Sequence, residues 1–310
     1  MRSFEIPGTG VMTSEICIGT DYYGKTIPEA DAERLLDMFV DAGGITIDTA
    51  HVYADYLPGE KHSSEKTIGK WLRSRGVRDK VTVATKGGFP DLDDRTVSRL
   101  SRREIREDLT GSLRCLGVEY VDLYWLHRDD ETKPIGELID ILEDVRREGL
   151  VRCWGLSNYS PERMAEAREV LVKAQKPMPP AQIKWGLALT AKGAEYDSTL
   201  QEMSDGYYDF LRRTGTALFA YGAQAKGFFS KLGFDENGDP VMAPGKCRDR
   251  YFCRENIELY LSLKAEGERL GLNPAALALR KMLESPFPVA LICGNRTEEQ
   301  MRQTLKAVDF

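Results

Sequence analysis

Short apolar runs rich in β-branched and aromatic residues alternate with amphipathic helical stretches from one end of the chain to the other, and that alternation calls for a parallel sheet covered by helices. Eight runs can be placed: Glu15 to Ile18, Thr46 to Asp48, Val81 to Lys86, Val121 to His127, Val151 to Ser157, Ala181 to Ile183, Thr216 to Tyr221 and Ala290 to Cys293. Eight such strands fit a closed (β/α)8 TIM barrel of the α/β class. The 310 residues, 42% of them hydrophobic, suffice for one large barrel core, and we read residues 1–310 as a single domain in preference to two sheet domains. Helix starts are explicit. Ser101 and Glu104 make a capping box ahead of Ile105, Leu109, Leu113 and Leu116, which share one face. Ser160-Pro161 and Asn273-Pro274 each set a capping side chain before a proline whose missing N–H is harmless in the first turn. Before the first strand, Phe4 to Thr13 holds Pro7-Gly8-Thr9-Gly10 between two extended pieces and predicts a β-hairpin closing the barrel bottom. Two connections, Asp55 to Ser64 and Ala223 to Arg254, are long enough to predict functional lids or disorder.

Composition removes several classes of function. A net charge of −6, with basic residues interspersed among acids, offers no footprint for nucleic acid. No run approaches the roughly 18 apolar residues of a spanning helix, and residues 1–20 lack a signal-type apolar core, so a cytoplasmic, membrane-free chain is expected. The six cysteines lack zinc-site spacing and disulfide-scaffold density, and with three histidines available no metal is expected; Cys247 and Cys253 form the one close pair, read as reduced thiols.

Active sites of such barrels form at the carboxyl ends of the strands, so polar residues that abruptly end apolar strands are the ones to inspect. Asp48 ends Ile45-Thr46-Ile47, Tyr53 follows in the next loop, Lys86 ends Val81-Thr82-Val83-Ala84-Thr85, and His127 ends Leu123-Tyr124-Trp125-Leu126. Together they suit reduction of a carbonyl, which generates an alkoxide in need of a proton. A phenol with a pKa of about 10 is a weak donor near neutrality, and an adjacent ammonium should lower that value. Lys86 is suited to do so, Asp48 to keep the lysine charged, and His127 to align the carbonyl oxygen. Each residue also has a plain reading: a loop-capping aspartate, a surface lysine, a rim tyrosine, a satisfied buried histidine. The combination is what carries the chemistry.

Gly44-Ile45-Thr46-Ile47-Asp48-Thr49-Ala50-His51-Val52-Tyr53, Ala84-Thr85-Lys86 and Asp122-Leu123-Tyr124-Trp125-Leu126-His127 resemble the motifs of the aldo-keto reductase family, and the resemblance runs over essentially the whole chain. It implies a (β/α)8 barrel binding NADPH, less often NADH, without a Rossmann domain, and it assigns the family's catalytic tetrad to Asp48, Tyr53, Lys86 and His127. By the same resemblance Ser157 and Asn158, with Gln182, hold the nicotinamide carboxamide, Tyr221 stacks on its ring, and Gly19 and Thr20 approach the cofactor. Gln224 and Lys226 lie in a loop similar to the one covering the pyrophosphate. Gly294, Arg296 and Gln300 resemble the adenosine-phosphate clamp, and a guanidinium at Arg296 favours NADP(H) over NAD(H). Gln303, Thr304 and Gly222 depart from the family pattern. An exposed lysine and a helix cap are the plain readings of Lys226 and of Ser157-Asn158.

Substrate choice lives in the loops. Tyr22, Tyr23, Val52, Tyr56, Phe89, Arg128 and Asp129 are candidate lining residues, and a mouth this polar and aromatic suits a small carbonyl or alcohol substrate such as a sugar. The oligomeric state is not readable. Two other classes remain open: a nicotinamide-binding regulatory or sensor barrel without turnover, against which an intact tetrad counts, and a metal-assisted hydrolase, against which the missing ligand cluster counts.

Overall fold

The computed structural model describes residues 1–194 and 197–308. Its centre is a closed parallel barrel of eight strands: β3 (Ile16–Gly19), β4 (Thr46–Asp48), β5 (Thr82–Gly87), β6 (Val121–Leu126), β7 (Val151–Ser157), β8 (Ala181–Lys184), β9 (Leu218–Tyr221) and β12 (Val289–Cys293). They pair in that order, and β12 closes back on β3. The eight predicted strands match these within one or two residues at each end. The predicted hairpin is present as β1 (Ser3–Glu5) paired antiparallel with β2 (Met12–Ser14).

Alternation along each strand divides the core in two. Cys17, Ala84, Leu123, Trp125, Cys153, Phe219, Ala290 and Ile292 fill the lumen, joined by Ile6 and Val11 of the hairpin, which is how the hairpin closes the barrel. Trp125 meets Phe219 edge-on, with centroids 5.1 Å apart. Gly155 on β7 makes room for that indole, since a Cβ there would lie 2.4 Å from the Trp125 ring. The other strand faces, with Ile18, Val83, Tyr124 and Leu156 among them, pack under the surrounding helices.

The capping signals act as predicted. Ser101 opens the helix Arg102–Leu116 with a full capping box, Ser160 opens the helix Pro161–Lys173, and Asn273 opens the helix Pro274–Leu283. The long segment after β9 is built from small elements, neither disordered nor extended. It holds a short helix (Phe228–Lys231), a hairpin of β10 (Gly233–Phe234) and β11 (Pro240–Val241), and a second short helix (Lys246–Tyr251), and then runs into the long helix Arg254–Leu270. Phe228, Phe229, Leu232, Met242 and Tyr251 give this segment its own apolar cluster against Leu263 and Leu277. Among the described residues all six cysteines are free, and no helix is long and apolar enough to cross a membrane.

Candidate active site

Register alone brings the strand-end residues together. Asp48 pairs with Ala84, Lys86 with Trp125, and Ser157 with Gln182, so neighbouring strands present their polar ends at one rim. Lys86 Nζ donates to Asp48 Oδ2 at 2.5 Å, to the Thr49 carbonyl at 2.7 Å and to Tyr53 Oη at 2.8 Å. Three acceptors use all three ammonium protons. Lys86 and Asp48 are each 1% exposed. The His127 ring stands edge-on to Tyr53, centroids 6.0 Å apart.

Protonation differs from what the sequence suggests. Burial, then the charges of Asp48 and Asp21, hold the Tyr53 phenol well above its ordinary value, while Arg128 pulls the other way. The predicted lowering by Lys86 is therefore outweighed, because Asp48 neutralises the lysine at close range and the phenol itself is desolvated. Burial also works against both charges of the pair, raising Asp48 and lowering Lys86, with their mutual attraction opposing it. His127 is pushed well below its usual value by burial and by Arg128 and Lys86. At neutral pH it is a neutral imidazole, able to donate from one nitrogen.

A second network joins this group to the next strands. Gln182 Nε2 donates to Asp48 Oδ1 at 3.1 Å, Ser157 Oγ to Gln182 Oε1 at 3.3 Å, and Asn158 Nδ2 to Ser157 Oγ and the His127 carbonyl, both at 3.1 Å. Tyr221 Oη donates to Asn158 Oδ1 at 2.6 Å. Asn158 adopts a left-handed φ of 64°, which turns the chain sharply off β7. Thr20 is fully buried, and its hydroxyl donates to the Asp48 carbonyl, so it ties β3 to β4. On the far side, Gln224 Nε2 donates to Asn295 Oδ1 and Thr304 Oγ1, and Gln300 accepts from the Arg296 amide. The Arg296 guanidinium lies 4.4 Å from the Tyr22 ring centroid. Partial desolvation, then the like charges of Arg250, Lys246 and Arg296, pull the Lys226 ammonium down.

Not every candidate reaches the mouth. Tyr23 is fully buried in the outer core, because it lies one residue beyond Tyr22 and turns inward. Asp129 is held by Arg163 through two hydrogen bonds, at 2.8 and 3.1 Å, away from the tetrad. Tyr22, Val52 and Phe89 are partly exposed, and Phe89 sits edge-on to His127 at 4.9 Å. Sequence reasoning missed Asp21, whose Oδ2 accepts from Tyr56 at 2.8 Å while Oδ1 is buried without a partner among the described residues. Its signal was present: it directly follows Gly19-Thr20, at the end of an apolar strand. Thr199 and Asp197, in the connection after β8, carried no signal.

A model of the family described as the Aldo/keto reductase family matches residues 15–310. The chain belongs to this family. Among curated relatives, an uncharacterized oxidoreductase, YrpG, of Bacillus subtilis is 30% identical over 308 residues, spanning 97% of this chain and 89% of the relative. Norsolorinic acid reductase stcV of Emericella nidulans is 25% identical across 97% of this chain and 76% of its own length. The crystal structure of a thermostable aldo-keto reductase with the inhibitor epalrestat superimposes with a TM-score of 0.71 at 21% identity, covering 100% of this chain and 95% of that one, and so shares the fold. As an aldo-keto reductase, the chain is an oxidoreductase of carbonyl and alcohol groups.

Proposed function

We propose that this aldo-keto reductase interconverts a carbonyl and an alcohol with NADP(H), Tyr53 supplying or receiving the proton at the substrate oxygen. The observation that carries this reading is the three-way contact of Lys86 with Asp48, Thr49 and Tyr53. In the direction of reduction, Tyr53 gives its proton to the oxygen as negative charge builds there, and the phenolate left behind faces the Lys86 ammonium at 2.8 Å. A raised phenol pKa keeps that proton in place at neutral pH, ready for a far more basic alkoxide. Neutral His127 donates to the same oxygen and fixes its position. Asp48 acts through Lys86, and Gln182 holds Asp48 from the opposite side.

The residues present suit a dinucleotide. When bound, the cofactor's nicotinamide supplies or accepts the hydride. Ser157, Asn158 and Gln182 offer the amide and hydroxyl groups that a carboxamide needs, and Tyr221 offers a ring. Lys226, whose ammonium lies in the field of Arg250, Lys246 and Arg296, offers a cation to the phosphates, with Arg296 the group for a 2′-phosphate. The test is purified protein mixed with NADPH and a panel of aldehydes, ketones and reducing sugars, read by loss of reduced-nicotinamide absorbance. Turnover supports the reading; binding of NADPH with no turnover on any of them would make the chain a cofactor-binding sensor instead.

A further inference from the structure

Arg128 follows His127 directly and is buried, with 8% of its surface exposed. Its Nη1 donates to the His127 carbonyl at 2.8 Å and its Nε to Thr199 Oγ1 at 3.1 Å. Both partners are neutral. Among the described residues no carboxylate lies within ion-pairing reach of the guanidinium, and Nη2 has no hydrogen-bond partner. Its face rests 4.9 Å from the Phe89 centroid, the same distance at which the His127 ring meets Phe89 from another direction. A second guanidinium, that of Arg95, stacks on Phe89 at 5.4 Å. Among the described residues the acid beside this pair is Asp197, which accepts from Thr199 Oγ1 at 2.6 Å and lies 3.6 Å from Arg95. Two arginines thus share one carboxylate, which Arg128 meets only through a threonine hydroxyl. Asp21, the other acid of the mouth, is already bonded by Tyr56 and lies in the fields of Lys86 and Arg296.

A guanidinium cannot escape burial by losing its proton, and an uncompensated buried charge is costly to a fold. A cation kept in that condition at the edge of an active site is suited to a partner that arrives from outside. We propose that Arg128, with Arg95 across Phe89, forms an anion subsite, and that the substrate carries a carboxylate about one aromatic ring's width from the carbonyl that Tyr53 and His127 receive. The planar fork of the guanidinium matches a carboxylate through two parallel hydrogen bonds. Phe89 sets the spacing, since it touches both the imidazole that would hold the carbonyl oxygen and the guanidinium that would hold the acid. The inference rests on the reductase reading and adds the charge of the substrate to it.

The test compares 3- and 4-carboxybenzaldehyde with their methyl esters, which keep the shape and lose the charge. The acids should exceed the esters in kcat/KM by roughly ten- to a hundredfold, the span of one charge-assisted hydrogen-bonded contact. Arg128→Met should bring the ratio close to one, and Arg128→Lys should restore only part of it. Arg95→Gln, at an exposed position safe for the fold, should trim the ratio by roughly two- to fivefold. Calorimetric titration of benzoate into NADPH-saturated protein reads the subsite without any turnover. Binding of benzoate that Arg128→Met abolishes supports the subsite even if no aldehyde is reduced, which would count against the reductase reading alone. Acids and esters within about twofold of each other, or benzoate that fails to bind, would overturn the subsite while leaving aldehyde reduction intact.

Discussion

Lys86 and Arg128 are both cations buried at the carboxyl end of the barrel, placed by adjacent strands, yet the protein treats them in opposite ways. Lys86 is satisfied internally: a carboxylate, a carbonyl and a phenol take its three protons, and Gln182 braces the carboxylate from behind. Arg128 has a carbonyl, a hydroxyl and an aromatic ring, and no anion of its own among the described residues. The first arrangement is finished before any ligand arrives, as a site must be if it is to act on charge that appears only during reaction. On our proposal the second is finished by a ligand, so that the first region would fix the chemistry and the second select the molecule on which it is done.

The largest expected effect falls on the finished side. Tyr53→Phe removes the transferable proton and keeps the ring beside Lys86, so turnover should fall by about 10² to 10⁴ while NADPH affinity stays nearly unchanged. Steady-state rates on a well-reduced aldehyde, with cofactor titration on the same preparation, measure both. Near-normal turnover would dismiss the phenol as the acid and move attention to His127.

Stability then separates the two cations. Lys86→Met leaves Asp48 buried and unpaired, which should cost about 3–5 kcal/mol of unfolding free energy near neutral pH and less under acid, where Asp48 can take up a proton. Arg128→Met strands no carboxylate and gives up two bonds to neutral acceptors, so it should change stability by no more than about 1–2 kcal/mol. Urea unfolding of both variants beside the parent decides the matter. Equal losses would make Arg128 a structural cation and remove the contrast.

The finished side was legible in the sequence and the open side was not, for a physical reason. In a βα barrel chain order is spatial order, so a polar residue ending an apolar run is enough to collect Asp48, Lys86 and His127 at one rim, while Ser157, Gln182 and Tyr221 are legible only through the family resemblance. Arg128 was visible as a mouth residue, but its lack of a counter-ion among the described residues depends on Thr199 and Asp197, some seventy positions downstream in a connection with no periodic pattern. Facing was equally hidden where no strand sets it: Tyr22 and Tyr23 are neighbours, and only the fold sends one to the Arg296 guanidinium and the other into the core. Proximity of the phenol to Lys86 can be guessed from motifs, whereas the desolvation by a whole barrel end that raises its pKa cannot. The small helices and hairpin between 225 and 251 fall below the length at which periodicity speaks.

Arg296 extends the comparison to the cofactor, since among the described residues it too has no carboxylate within ion-pairing reach and packs instead on Tyr22. Arg296→Ala should weaken NADPH by roughly ten- to a hundredfold and NADH far less, because only the former carries a 2′-phosphate for the guanidinium. Equal losses in fluorescence titrations would place the 2′-phosphate elsewhere, with Lys226 the next residue to replace.

The smallest effect concerns the loop that carries Tyr53, which is closed by a charged pair of its own. His62, at a left-handed φ of 58°, stacks on His51 with centroids 3.9 Å apart, and its Nδ1 lies 2.7 Å from the His51 carbonyl and 3.2 Å from Asp55 Oδ2. Its pKa is raised, chiefly by the hydrogen bond to Asp55; burial would raise Asp55, but its bonds to His62 outweigh that and hold it low. A histidine raised by folding stabilises fully below its unfolded pKa of about 6.5 and loses that contribution as pH climbs through the folded value. The depressed Asp55 contributes above about 3.9 and loses its share as pH falls through its own folded value. The pair is therefore strongest between about pH 4 and 6.5. His62→Gln should lower the melting temperature by about 1–3 °C near pH 5.5, a magnitude set by partial exposure, and by less as pH rises toward about 9. A difference that stayed constant across that range would mean the ring stack on His51, and not the ion pair, holds the loop closed.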